Sequence, residues 1–423
     1  MNMKESIPQD KCIDSTLNLM LEGYLFIPNR CRKYRSELFE THLMGQKVVC
    51  MSGESAAQIF YDTNKFTRKG AMPKRVQETL FGKKAIQTLD GEEHTHRKQL
   101  FMSFMTPSKI DQIIGLTKRQ WEVSIKRLEK KDEVVIFEEA GNVLFQVACK
   151  WAGVPFKKSE VKQMAKDMSA MVDAFGAVGL RHYKGRCARN RTECWAKNLI
   201  DDVRVGRLIA PKDSALHDIA WHRQLDGDLL DAQTAGVELI NILRPITAIA
   251  TYITFGALAL HMYPSYKEKI QHKEENYLHM FAQEIRRYYP FGPFLGARVR
   301  SDFQWHNYQF TKGMLVFLDI YGTNHDSGIW RYPNEFRPKH FLNYDGNPFD
   351  FIPQGGGAAE GGNRCPGEWI TTELLKVSMD FLANRIEYDV VLQDLSFSLR
   401  RMPTIPKSRF IINNVRSYTH YTS

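Results

Sequence analysis

Paired cysteines, linkers and membrane-length apolar runs are all missing from this chain, and each absence narrows what it can be. Its 423 residues include seven cysteines, an odd number with no CxxC pair, which argues for reduced thiols and against a disulfide framework. No Pro/Ser/Gly-rich linker, repeat or low-complexity run divides it. Length alone would allow two or three domains, but the undivided pattern predicts one, spanning 1–423. No apolar run of about 18 residues stands out and no charged-then-apolar leader opens the chain. Neither an integral membrane segment nor a secretory signal is therefore expected, and the default location is cytoplasmic. Aromatic-flanked basic clusters are also lacking. The formal charge is +10, yet the basic residues are interspersed with acids, which argues against nucleic acid as a partner. A basic balance would instead raise the local concentration of anionic substrates such as carboxylates.

What the chain does have is concentrated near its C-terminus. The stretch from Phe349 to Trp369 holds five glycines within eight residues, then delivers Cys365 just ahead of an apolar helix expected to start near Pro366. Glycines there let the backbone approach a flat object closely. A thiolate at a helix N-terminus is stabilised by unpaired N–H groups and the helix dipole, and such a thiolate can be the axial ligand of haem iron. Taken alone, the stretch reads equally as a glycine-rich surface loop with an incidental cysteine.

Two upstream signals tip that balance. Glu284 and Arg287 lie three apart on a helix that Pro290 ends, so their side chains share a face. The segment from Pro333 to Phe341 is a proline-bracketed turn whose Arg337 is expected to complete a buried Arg–carboxylate–Arg network with them. In this order, and at these separations from Cys365, the three motifs resemble the cytochrome P-450 superfamily over most of the chain. The resemblance implies a cytochrome P-450 fold, mainly α with a small β region, enclosing a buried haem b with Cys365 on the metal. Departures from the general pattern are informative. The haem loop is longer, and Arg364 stands one residue before the cysteine rather than two. Ala235-Gly-Val-Glu238-Leu239 imitates the start of the acid–alcohol pair that relays protons to dioxygen, but has Leu in place of the alcohol. Asn241-Ile-Leu-Arg244-Pro245 resembles the fatty-acid peroxygenase branch, as do Pro-Gln-Gly-Gly-Gly and Arg-Cys-x-Gly-Glu-Trp-Ile-Thr around the ligand.

Apolar spacing predicts successive helices over 110–130, 134–151, 159–177 and 181–204, then the longest over 229–261, with a last helix to about 385. Strand-like pieces fall at 48–51, 303–310, 314–320, 388–392 and 409–412. Asp90 and Glu93 form a capping-box-like start, after which His94 and Lys98, four apart, can address one carboxylate. By resemblance these two, together with Arg68, reach the haem propionates, with Arg364 beside the ligand. Pro245 in mid-helix removes a backbone donor and costs about 3 kcal/mol unless compensated. Arg244 beside it, among apolar neighbours, must find an anion. That anion is either a carboxylate brought by the substrate or is replaced by helix carbonyls at the kink.

The resemblance implies substrate-assisted use of hydrogen peroxide without an obligatory redox partner. A long-chain fatty acid held by Arg244 over Pro245 supplies the general acid–base that the chain lacks, and its Cα and Cβ are then oxidised first. Gln87 stands where the branch varies between Gln and His, the latter accompanying decarboxylation to alkenes; hydroxy acids are therefore expected here. Leu80, Phe81, Val172, Gly292 and Phe294 are the implied walls of the acyl pocket.

Overall fold

The computed structural model describes residues 6–418. Its helical body is built from α1 (Gly91–Ser103), α2 (Pro107–Leu128), α3 (Ile136–Ala152), α4 (Val161–Asp173), α5 (Leu180–Arg204), α6 (Ala232–Ala248), α7 (Ala250–Met262), α8 (Tyr277–Tyr288) and α9 (Glu368–Asn384). Local chemistry sets several ends. Pro107 occupies the first turn of α2, Gly153 closes α3 in the left-handed conformation, and Asp231 caps α6 by accepting from the Thr234 N–H at 2.9 Å. The expected 134–151 helix begins two residues late because Glu133–Val135 form a strand, β-branched Val134 and Val135 pairing with Ile412 and Ile411.

A five-stranded sheet, β1 (Leu38–Leu43), β2 (Gln46–Met51), β3 (Phe66–Thr67), β4 (Phe294–Val299) and β5 (Leu315–Asp319), has the order β1-β2-β5-β4-β3. Its pairs are antiparallel except β2 with β5, in register from Val48 opposite Leu315 to Met51 opposite Leu318. The fold is thus mainly α with small sheets.

Helices α6 and α7 run through the middle of the main core, α6 against α5, α3 and α4, and α7 against α3, α9 and α8. A helix apolar on every side must be enclosed on every side. That is why the pair, contrary to the expectation of no membrane-length apolar run, has the length and mean hydropathy (1.4) of a membrane span, while 89% of the apolar window is buried inside the protein. The single 229–261 helix expected from periodicity is interrupted. Past Pro245 the Ile249 N–H bonds to Ile246 O, three residues back, at 3.2 Å, and α7 restarts at Ala250. Between Thr234 and Leu260 every residue is buried except Pro245, which is exposed, and Ala248, which is partly so.

Candidate active site

The glycine loop is a cradle. Gly355 and Gly357 adopt φ of +94° and +77°, and a Cβ on Gly356 would sit 2.7 Å from Pro348 O and 3.0 Å from the Tyr61 ring. The Cys365 N–H donates to Gln354 O at 3.0 Å, and the Gln354 amide, bonded to Thr371 Oγ1 at 3.0 Å, lies 3.8 Å from Cys365 Sγ. Helix α9 starts at Glu368, later than expected, because the turn between is used to give the Gly367 N–H to the sulfur. Burial dominates and pushes the Cys365 thiol up; the Gly367 N–H, the Lys98 cation and the Gln354 amide pull it down. The helix N-terminus alone therefore does not make the thiolate. A coordinated metal deprotonates a thiol outright.

Arg68, His94 and Lys98 surround this cradle. Arg68 donates to Gly296 O at 3.0 Å and lies over the Phe60 and Tyr61 rings, 4.1 and 5.3 Å from their centroids; burial holds it down to about 10. Lys98 is buried, donates to Arg364 O at 2.6 Å, and is pushed below its ordinary value by burial, as is half-buried His94 by burial and the Lys98 cation. Neither Arg68 nor Lys98 has a carboxylate partner among the described residues. Two desolvated cations without a carboxylate partner, Lys98 near a recessed thiol and Arg68 over the Tyr61 ring that packs on the glycine loop, fit a thiolate-ligated haem: Cys365 would hold its metal, and Arg68, Lys98 and His94 would meet its carboxylates.

Arg364 is engaged elsewhere. Its Nε bonds Glu368 Oε2 at 2.5 Å, and Glu368 Oε1 takes Arg286 Nη2, so an Arg–carboxylate–Arg set exists, but at the start of α9. The network expected at Glu284 differs. Glu284 and Arg287 form a two-bonded pair at 2.7 and 2.8 Å, both fully buried. Arg337 gives Glu284 only its backbone N–H at 2.7 Å, while its guanidinium turns outward to Glu335 and the Tyr332 ring. His340 Nδ1, 3.2 Å from both carboxylate oxygens, is the third side chain. Pro338 starts a short turn that brings His340, two residues on, back over the pair.

On α6, Arg244 is 4% exposed, its Nη2 donates to Asn241 Oδ1 at 3.1 Å, its Nε has no partner among the described residues, and its guanidinium carbon lies 5.4 Å from the Phe81 ring. Burial, then the nearby Arg189 cation, pulls it down to about 9, with Cys365 opposing; it is a cation at neutral pH. Glu238, where a proton-relay acid would stand, is fully buried and occupied, accepting from Arg97 Nη1 at 2.8 Å, the Ile86 N–H at 2.9 Å and Asn241 Nδ2 at 3.1 Å. Gln87 follows Ile86, and its Oε1 is buried without a partner among the described residues. Leu80 and Phe81 give their carbonyls to Arg189 Nη1 and Nη2 at 3.0 and 3.2 Å. Val172 is buried on α4. Space beside Gly292 is open, since a Cβ there would meet nothing within 4 Å. Phe294 stacks on Phe317 at 4.7 Å. Arg97, Arg189 and His340 do not stand out in the sequence, and Asn241 does so only as the first residue of the motif that carries Arg244. Arg97 carried the one available signal, lying on the inner side of a helix beside Lys98.

Comparison with known proteins points to the same fold. The cytochrome P450 family matches residues 268–382. A structure of cytochrome P450 OleT in complex with arachidonic acid is 38% identical, with a TM-score of 0.96 over 99% of this chain and 100% of that one. Cytochrome P450EX alpha (CYP152N1) with myristic acid is 42% identical, TM-score 0.94, over 98% and 100%. Beta-amyrin 28-monooxygenase of Kalopanax septemlobus is 22% identical over 415 residues, 89% of this chain and 84% of that protein.

Proposed function

The chain belongs to the fatty-acid peroxygenase branch of the cytochrome P-450 superfamily, and on that footing we propose that it uses hydrogen peroxide to hydroxylate long-chain fatty acids at Cα and Cβ, with haem b on Cys365 and no obligatory redox partner. A thiolate-bound haem supplies the electron density that favours O–O cleavage. The chain's own residues have to supply orientation and a route for protons.

The observation that carries the reading is Arg244: a guanidinium 4% exposed, held by one neutral amide, with no carboxylate partner among the described residues. A buried cation left so is costly unless an anion arrives with the substrate. A carboxylate on Arg244 makes a charge-assisted pair that fixes its acyl chain by the head, so Cα and Cβ are presented first. It also answers the lack of a relay. Glu238 is consumed by three donors and Leu239 has nothing to offer, so the bound carboxyl would be the group that accepts and returns the proton peroxide chemistry needs.

The test is product analysis by mass spectrometry of the haem-loaded protein with a long-chain acid, given either peroxide or dioxygen with an electron donor. Expected are 2- and 3-hydroxy acids with peroxide alone. Alkenes one carbon shorter as main products would favour decarboxylation, and turnover only with electron donors would favour a reductase-dependent monooxygenase.

A further inference from the structure

We infer that Glu238 and Asn241 are positioning residues, a buried two-step relay that orients the Arg244 guanidinium and ties the turn carrying Gln87 to the same helix. The inference rests on the proposed anchoring of the substrate carboxylate by Arg244.

Glu238, Asn241 and Arg244 recur at every third position of α6, so their side chains climb one face of the helix. All three groups that touch the Glu238 carboxylate are donors: Arg97 Nη1 and the Ile86 N–H on Oε1, Asn241 Nδ2 on Oε2. Burial pushes the Glu238 carboxyl up, while the Arg97 cation and these donors favour its ionised form. The Asn241 Nδ2 is shared between two groups that can only accept, Glu238 Oε2 and Phe81 O, each at 3.1 Å. The amide therefore has one orientation, with Oδ1 turned to Arg244 Nη2. Orientation passes from carboxylate to amide to guanidinium. At the same time Oε1 holds the backbone of Ile86, next to Gln87, in the short turn Ile86–Thr88. One buried carboxylate thus sets two groups that would face the acid head, while making no contact with it.

Glu238→Gln shows how the relay would fail. The surviving oxygen of the amide is required by Arg97 and the Ile86 N–H, which leaves an NH₂ facing the NH₂ of Asn241. Asn241 then either keeps its NH₂ against another NH₂, or rotates at the cost of its bond to Phe81 O, which turns its own NH₂ onto the Arg244 guanidinium; either way the link to Arg244 is weakened. Asn241→Leu breaks only the last link and keeps the Arg97–Glu238 pair, so it reports even where Glu238→Gln is unstable.

The experiment is spectral titration of the haem-loaded protein with a long-chain acid and with the primary alcohol of equal length, combined with the ratio of 2- to 3-hydroxy product. In wild type the acid is preferred. Arg244→Ala loses the preference. Glu238→Gln and Asn241→Leu each cut it by at least about tenfold, the worth of one hydrogen bond to a charged group, and change the product ratio, with the double variant no worse than the stronger single one. If both variants keep the wild-type preference and product ratio while Arg244→Ala loses them, the relay is overturned and anchoring stands. Retention of the preference by Arg244→Ala overturns anchoring itself and the relay with it.

Discussion

Single side chains carry most of the chemistry, and they were unequally legible. Arg244 could be picked out because arginine followed by proline inside an apolar helix breaks two local rules at once, and such breaks mark function. Cys365 was legible from the glycines around it. Partners were harder: Arg337 was expected to point its guanidinium at Glu284, and it is the backbone N–H that does so, with His340 completing the set. Residue order shows which groups are near one another but not which way a long side chain turns. The Asn241 amide was hidden for the same reason. At this scale Gln87 is the sharpest test. Its buried Oε1 has no partner among the described residues, and an amide there hydrogen-bonds without titrating. Gln87→His is expected to raise the alkene share of product several-fold, read by mass spectrometry; an unchanged ratio would remove Gln87 from the reaction.

Helices were read more surely than their ends. The 3.6-residue spacing located α2 through α5 because their inner faces are continuous, while strand Glu133–Val135 and the interruption at Ile249 depend on pairing and on a proline's after-effects several residues on. Asp319, the last residue of β5 and the cap of the short helix Ile320–Asn324, carries no signal in the sequence. It is 1% exposed, caps that helix by accepting from the Gly322 N–H at 2.8 Å, and takes Ser52 Oγ at 3.2 Å. Burial pushes its carboxyl up to about 7. The folded state therefore keeps a proton that the unfolded chain releases near pH 4. Its stabilising effect is fully present below that and is lost as pH rises through about 7. Relative to Asp319→Asn, which retains the acceptor, wild type is expected to gain several degrees in Tm between pH 8 and pH 5. A pH-independent difference in thermal unfolding would show that the carboxyl titrates normally.

The whole molecule joins two halves of the site that lie far apart in sequence. Cys365 comes from a loop braced by Arg286, Glu368 and Arg364, and Arg244 from a helix enclosed by three others. Mainly helical architecture with a minor sheet was readable from composition and spacing, and the same spacing concealed that α6 and α7 are apolar enough to span a membrane, because burial on every side produces the same pattern. If the two halves face one haem, Cys365→Ala should lose the absorption band of ferrous carbon monoxide opposite sulfur, and retention of that band would mean another residue ligates the metal. The central claim is that the oxidised molecule brings the missing acid to a buried cation. Its most direct measurement is the peroxide-driven turnover of a long-chain acid by Arg244→Ala, with haem content matched to wild type. A fall of at least about a hundredfold is predicted, the scale of one charge-assisted bond made at the reacting centre. Turnover equal to wild type would contradict the account.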